Sequence, residues 1–127
     1  RGVRVEVVTP ANGDHPTVQW AARAHYWQVL EHGVRIFERP GPFDHSKLML
    51  IDGQWCCLGS ANWDARSLRL NFEFNVEVYD TALSTRLESL FDAARDASNE
   101  ISAMALRARP LAIRLRDGVA RLFTPIL

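Results

Sequence analysis

His45-Ser46-Lys47-Leu48-Met49-Leu50-Ile51-Asp52-Gly53, followed shortly by Gly59-Ser60-Ala61-Asn62, is the stretch from which the rest of the sequence is read. Leu48 to Ile51 and Trp55 to Leu58 are two apolar runs of strand length joined through Asp52-Gly53, a strong hairpin signal because both residues tolerate the left-handed backbone. Alternate residues of a strand share a face, so His45 and Lys47 project the same way, while Asp52 has the opposite parity and falls in the turn. An imidazole can attack phosphorus or shuttle a proton near neutral pH, and an ammonium beside it offsets the charge of a phosphoryl group in its transition state. Ser60 and Asn62, also two apart, can donate further hydrogen bonds to phosphate oxygens. A neutral histidine needs an acceptor for its second nitrogen, and Glu73, between Asn71 and Asn75, is the best placed carboxylate. Spacing alone also suits a surface pair, and Asp52 is fully explained as a turn residue.

Working outward, Val3 to Val8 reads as a strand and Thr9 to Asp14 as a loop. A helix follows, capped by Asp14 or His15, with Pro16 in its first turn and Gly33 as its stop. Val18, Ala21, Ala22, His25 and Val29 form one face, which makes His25 a packed histidine and His32 a helix-end one. Val34 to Phe37 is a short strand that Arg39-Pro40-Gly41-Pro42 ends. Downstream, Phe72 to Tyr79 alternates, with Phe72, Phe74, Val76 and Val78 on one side and Glu73, Asn75 and Glu77 on the other. Asp80 or Thr81 caps a long helix whose stripe is Leu83, Leu87, Leu90, Phe91, Ala94 and Ile101.

The expected fold is α/β, a mixed β-sheet of about five strands flanked by helices on both faces. The sheet should be largely buried, since Leu48 to Ile51 are apolar on both parities. The catalytic surface should lie where the strand of His45 and Lys47 neighbours the strand of Glu73. Residues 1–105 read as a catalytic half-domain and 106–127 as a basic amphipathic tail. The tail carries Leu111, Leu115, Val119, Leu122 and Ile126 on one face with Arg107, Arg114 and Arg121 beside it. That stripe is expected to pack on the body or on absent parts of a longer parent, with a membrane-lying helix as the alternative.

Composition bounds the function classes. With 127 residues, 47% apolar and 24% charged, the chain has the balance of a soluble globular domain, which excludes disorder and coiled coil. Its apolar runs are too short to span a bilayer. Fifteen basic and fifteen acidic residues cancel, but residues 1–100 carry net −4 and residues 101–127 net +4, so a basic tail follows an acidic body. Cys56 and Cys57 are adjacent and read as reduced strand residues, and no Cys or His pair stands at zinc-ligand spacing. Residue 1 is Arg and the first strand has no lead-in, so a preceding segment is expected.

The motif resembles a known one. His45-x-Lys47 with Asp52, then Gly59-Ser60-x-Asn62, is similar to the HxKxxxxD signature of the phospholipase D superfamily. Gly59-Ser60-Ala61-Asn62-Trp63-Asp64-x-Arg66-Ser67-x-x-Leu70-Asn71-x-Glu73-x-Asn75, with Val78-Tyr79-Asp80, Glu31 to Ile36 and the ending Arg114-Leu115 to Leu122-Phe123-Thr124-Pro125, resembles the C-terminal half of bacterial cardiolipin synthases. The resemblance covers essentially the whole chain.

That resemblance implies a phospholipase D-like half-domain in which two halves each contribute a His, a Lys and an Asn to one site. One His forms a phosphohistidine while the other protonates the leaving alcohol and activates the incoming one, and no metal or other cofactor is needed. By the same resemblance the catalytic residues are His45, Lys47 and Asp52; Lys47, Ser60 and Asn62 bind phosphate; and Glu73 orients His45. His45 is either the nucleophile or the general acid/base. The substrate would be phosphatidylglycerol and the product cardiolipin, at the inner membrane of a bacterium, with a membrane surface as partner of the parent. Only one His-x-Lys motif occurs here, so the partner is a missing N-terminal half or a second copy, and the chain alone is expected to be inactive. The alternative is a homodimeric phosphodiesterase or nuclease, with nucleic acid as a partner only in that case.

Overall fold

The computed structural model describes residues 2–13, 15–62, 64 and 67–123. In chain order the elements are β1 (Glu6–Pro10), α1 (Pro16–Leu30), β2 (Arg35–Arg39), β3 (Leu48–Ile51), β4 (Trp55–Gly59), β5 (Asn75–Val78), α2 (Thr81–Asp96), β6 (Asn99–Ile101), α3 (Ala103–Arg107) and α4 (Leu111–Leu122). They form two compact units, Arg1–Phe43 with Ala97–Leu127, and Asp44–Asp96.

The first unit holds a mixed sheet in the order β1-β2-β6. β1 and β2 run parallel, which requires a crossover, and α1 supplies it; β6 is antiparallel to β2. Gly33 ends α1 at φ 82°, donating to Leu30 O at 3.1 Å while Val34 donates to Val29 O at 3.2 Å, the paired bonds of a glycine-terminated helix. At the other end Pro16 opens the helix and His15 occupies the cap without a side-chain bond; Asp14, the other expected cap, lies outside the described residues. His32 Nδ1 sits 2.7 Å from Gln28 O, as suits a histidine at a helix end. Of the face expected to be buried on α1, Ala21 is buried, whereas Val18, Ala22 and Val29 are exposed.

Charge is placed inside this unit in pairs. Arg23 grips Glu38 with two bonds of 2.7 and 2.8 Å and reaches Ala11 O at 3.1 Å. Across the sheet, Arg35 on the central strand bonds Glu6 at 2.8 Å on one side and Glu100 at 2.8 and 2.9 Å on the other, and this holds the Glu100 carboxyl below the usual carboxylate range. α4 packs on α1 and brings Asp117, only 1% exposed, between Arg116 at 2.7 Å and Arg109 at 2.9 Å. Arg116 also lies 4.2 Å over the ring of Trp20. The Arg109 contact is an ion pair without hydrogen-bond alignment. Burial, with the negative charge of Glu38 nearby, pushes the Tyr26 phenol up to about 12.

The second unit is antiparallel, β3-β4-β5, with α2 against β3 and β4. Asp80 caps α2 through Leu83 N at 2.6 Å. The side chain at the centre of its packed face is Ser84, fully buried, with Leu87, Phe91 and Ala94 half-buried; Leu83 and Leu90 are exposed.

Further expectations change. The first strand, expected over Val3 to Val8, lies at Glu6–Pro10, because Thr9 and Pro10 continue the pairing with β2. The sheet is divided into two of three strands each. Ile101 belongs to β6, because the chain leaves the helix after Asp96 and pairs Ile101 with Ile36. The strand expected over 72–79 is confined to Asn75–Val78, and Phe72 and Phe74 are exposed. Nor is the sheet buried on both faces: Cys56 and Cys57 are buried, while Met49, Ile51, Leu58 and Val76 are open.

Replacing Asp117 by Ala leaves the Arg109 and Arg116 guanidinium groups without the buried carboxylate they share, so the variant should lose roughly 3 kcal/mol of stability in urea unfolding; a loss below about 1 kcal/mol would show that water already screens the cluster. Between pH 10 and 12 the folded state keeps a proton on Tyr26 that the unfolded chain gives up, so stability should fall as pH rises through that window. Ultraviolet titration should find one tyrosine ionising at about 12; Tyr26→Phe should abolish that late step.

Candidate active site

All six candidate residues belong to the second unit, and its topology sorts them. Asp52 and Gly53 both have positive φ, 49° and 62°, and the turn closes with Gln54 N donating to Ile51 O at 3.0 Å. Two residues of left-handed backbone reverse the chain with the twist a hairpin needs, and Gly bears it without a Cβ penalty. Reversal there brings the start of β3 beside the end of β4, in the register Leu48 to Leu58. The ladder continues one step further, because Gly59 N donates to Lys47 O at 3.3 Å. β5 then runs back, with Asn75 opposite Gly59.

His45, Lys47, Gly59-Ser60 and Glu73-Asn75 therefore stand at one end of the sheet. Asp52 stands at the other, about 16 Å away along the strand at 3.3 Å per residue. It shapes the turn and lines a shallow groove with Gln54, Trp55, Tyr79 and Thr81. His45 and Lys47 precede β3 rather than lie in it, and β4 separates β3 from β5. The expected juxtaposition of neighbouring strands is replaced by convergence of three strand ends.

His45 is exposed and Lys47 half-buried. The Lys47 ammonium folds back to donate to His45 O at 2.7 Å, which ties the cation to the histidine's own backbone. Ser46 N donates to Asp44 Oδ1 at 2.9 Å, a local Asx-type bond just before β3.

The Gly59-Ser60-Ala61 segment is locked to 73–75. Ser60 N donates to Phe74 O at 3.0 Å, Phe74 N donates to the Ser60 hydroxyl at 3.0 Å, and that hydroxyl donates to Glu73 Oε2 at 2.6 Å. Asn71 Nδ2 donates to the other carboxylate oxygen at 3.3 Å. Ala61 N donates to Asn75 Oδ1 at 3.3 Å. Gly59 is required by this approach: a Cβ there would stand 2.3 Å from Phe74 O and 2.7 Å from Asn75 Cα, closer than any real contact.

With its proton given to Glu73, the Ser60 hydroxyl can serve a phosphate only by leaving the carboxylate. Glu73 in this arrangement is the acceptor of Ser60 and Asn71. Asn62 follows the buried Ala61 and is exposed. Further along, Asp64 takes hydrogen bonds from Ser67 N at 2.8 Å and Ser67 Oγ at 3.1 Å, turning the chain back. Trp63, Ala65 and Arg66 lie outside the described residues. The parts played by Asn75, Asn71 and the bare Cα of Gly59 were missed; only the alternation of Asn71, Glu73 and Asn75 on one parity hinted at them.

Comparison with known proteins follows this geometry. The family described as cardiolipin synthase, phospholipase D-like domain, matches residues 1–95. Cardiolipin synthase 1 of Staphylococcus epidermidis is 37% identical over 126 residues, 99% of this chain and 26% of its own. The cardiolipin synthase of Oceanobacillus iheyensis is 36% identical with the same coverage, and that of a Geobacillus species is 36% identical over 99% of this chain and 25% of its own. The chain thus spans about a quarter of the length of these curated relatives. Matched over 95 of its 127 residues, and with His45, Lys47 and the Gly59-Ser60 segment gathered at one end of a three-stranded sheet while Asp52 makes the turn at the other, the chain belongs to the cardiolipin synthase family of phospholipase D-like domains.

Proposed function

We propose that this chain supplies one half of the active site of a phosphatidyltransferase that joins two phosphatidylglycerol molecules into cardiolipin and releases glycerol. What carries the reading is the convergence of His45, Lys47 and the Gly59-Ser60 segment at the strand ends. A second half, with its own His-x-Lys pair, completes the site.

The reaction runs in two displacements. An imidazole nitrogen of one half attacks the phosphodiester phosphorus, the bond to the headgroup glycerol breaks, and the other half's imidazolium gives its proton to that leaving oxygen. The neutral imidazole so formed then takes the proton from a hydroxyl of a second phosphatidylglycerol, whose oxygen attacks phosphorus and expels the first histidine. Lys47 holds the non-bridging oxygens as charge grows on them, and Asn62 adds a neutral donor. Ser60 exchanges Glu73 for phosphate as the substrate enters, and the freed Glu73 carboxylate becomes an acceptor for the imidazole N–H. His45 takes the acid/base part in this scheme. Two features support an incomplete site: His45 is exposed, and so are the apolar side chains Leu68, Leu70, Phe72 and Phe74 in the segment around Glu73, which the other half would cover.

In the full-length parent, His45→Ala should lower cardiolipin formation by about 10³-fold and Lys47→Ala by about 10²-fold. Undiminished product from either variant contradicts the reading. A substrate with a nitrophenolate leaving group needs no proton in the first displacement. His45→Ala should therefore still release nitrophenolate from it in a burst and accumulate phosphoenzyme; absence of both would make His45 the nucleophile.

A further inference from the structure

α4 meets α1 with one face and leaves the other open. Asp117 and Ala120 are buried and Ile113 half-buried, and at 3.6 residues per turn these three lie together. Leu111, Leu115, Val119 and Leu122 lie on the opposite side, 67%, 61%, 56% and 76% exposed. Of the two packing partners expected for this stripe, the body and absent parts of a longer parent, the first is overturned for these residues, because Asp117 and Ala120 occupy the packed face of α4, with Arg116 over Trp20; Ile126 lies outside the described residues.

The charges beside the stripe are of one sign. Arg114 and Arg121 border it on one side, both exposed, while Arg116 on the other turns its guanidinium back to Asp117 and Trp20. Arg107, exposed, adds a fourth just before α4. The only acidic side chain from residue 101 onward is Asp117, and it is buried; Glu31 stands 3.9 Å from Arg107. An apolar strip one helix wide beside an arginine border matches the boundary of an anionic bilayer, where leucines enter the acyl region and guanidinium groups meet phosphates. Among the described residues no helix is long and apolar enough to cross a membrane, so α4 would lie in the surface plane. Pairing of two copies through this face would set like arginine borders against each other.

We infer that α4 docks this chain on an anionic lipid surface, with Leu111, Leu115, Val119 and Leu122 inserted and Arg114 and Arg121 on the headgroups. The inference does not rest on the phosphatidyltransferase reading, since attachment is measured without turnover.

The test is co-sedimentation of the 127-residue chain with phosphatidylcholine vesicles that contain or lack phosphatidylglycerol. Binding should require phosphatidylglycerol and weaken with salt. Arg114→Gln with Arg121→Gln should weaken it roughly thirty-fold. Leu115→Glu with Val119→Glu should abolish it while leaving the circular dichroism spectrum unchanged, because both side chains point outward. Hydrogen exchange on the unsubstituted chain gives an independent reading: amides of residues 111–122 should exchange more slowly with the anionic vesicles. Failure to bind those vesicles, binding undiminished by the Glu pair, or a lipid-free dimer that the Glu pair dissolves would each overturn the inference.

Discussion

The reversal at Asp52-Gly53 and the close approach of Gly59 to Phe74 together decide where the candidate residues gather in the second unit. The first fixes the register of β3 on β4, so that Lys47 finishes opposite Gly59. The second lets β5 close on the end of β4 without a side chain between them, so that Ser60 can reach Glu73 and Phe74. A one-residue slip at the turn would send every β3 side chain to the other face and move Lys47 away from Ser60. The motif's aspartate and its histidine are thus linked mechanically, through a strand, although they stand at opposite ends of it.

The hydrogen bonds at that end form a closed set in which each donor has a definite acceptor. Ser60 is tied to Glu73, Glu73 to Asn71, and Ala61 to Asn75. Such a network holds Ser60 and Glu73 against each other, so that the hydroxyl would reach a phosphate only by giving up the carboxylate. Lys47, by contrast, rests on the carbonyl of His45, a contact that an incoming phosphate oxygen can replace with a stronger, charged one.

Local signals were legible in the sequence. Asp52-Gly53, the Asp80 cap and the Gly33 stop each depend on a residue's own backbone or short-range bonding, and each is found where the residues indicated. The α/β class followed from the alternation of elements. What alternation could not reveal is which parity finds a partner. Phe72, Phe74 and Val76 alternate as one face of a strand would, yet only Val76 lies in β5 and all three are exposed. The tail repeats the lesson: its leucine stripe is the most apolar side of α4, and the buried side is the one carrying Asp117, because two arginines neutralise it and Trp20 receives one of them. β6 was hidden because three residues pairing with β2 leave no periodic trace.

The central claim, that the strand ends bearing His45, Lys47 and Ser60 grip a phosphodiester, is tested most directly by amide chemical-shift mapping as glycerophosphoglycerol, the soluble diester of the headgroup, is added to the chain. The account predicts shifts concentrated at residues 45–47, 59–62 and 73–75, with the turn at Asp52-Gly53 unmoved. Shifts centred on that turn, or none at the strand ends at saturating diester, would contradict it.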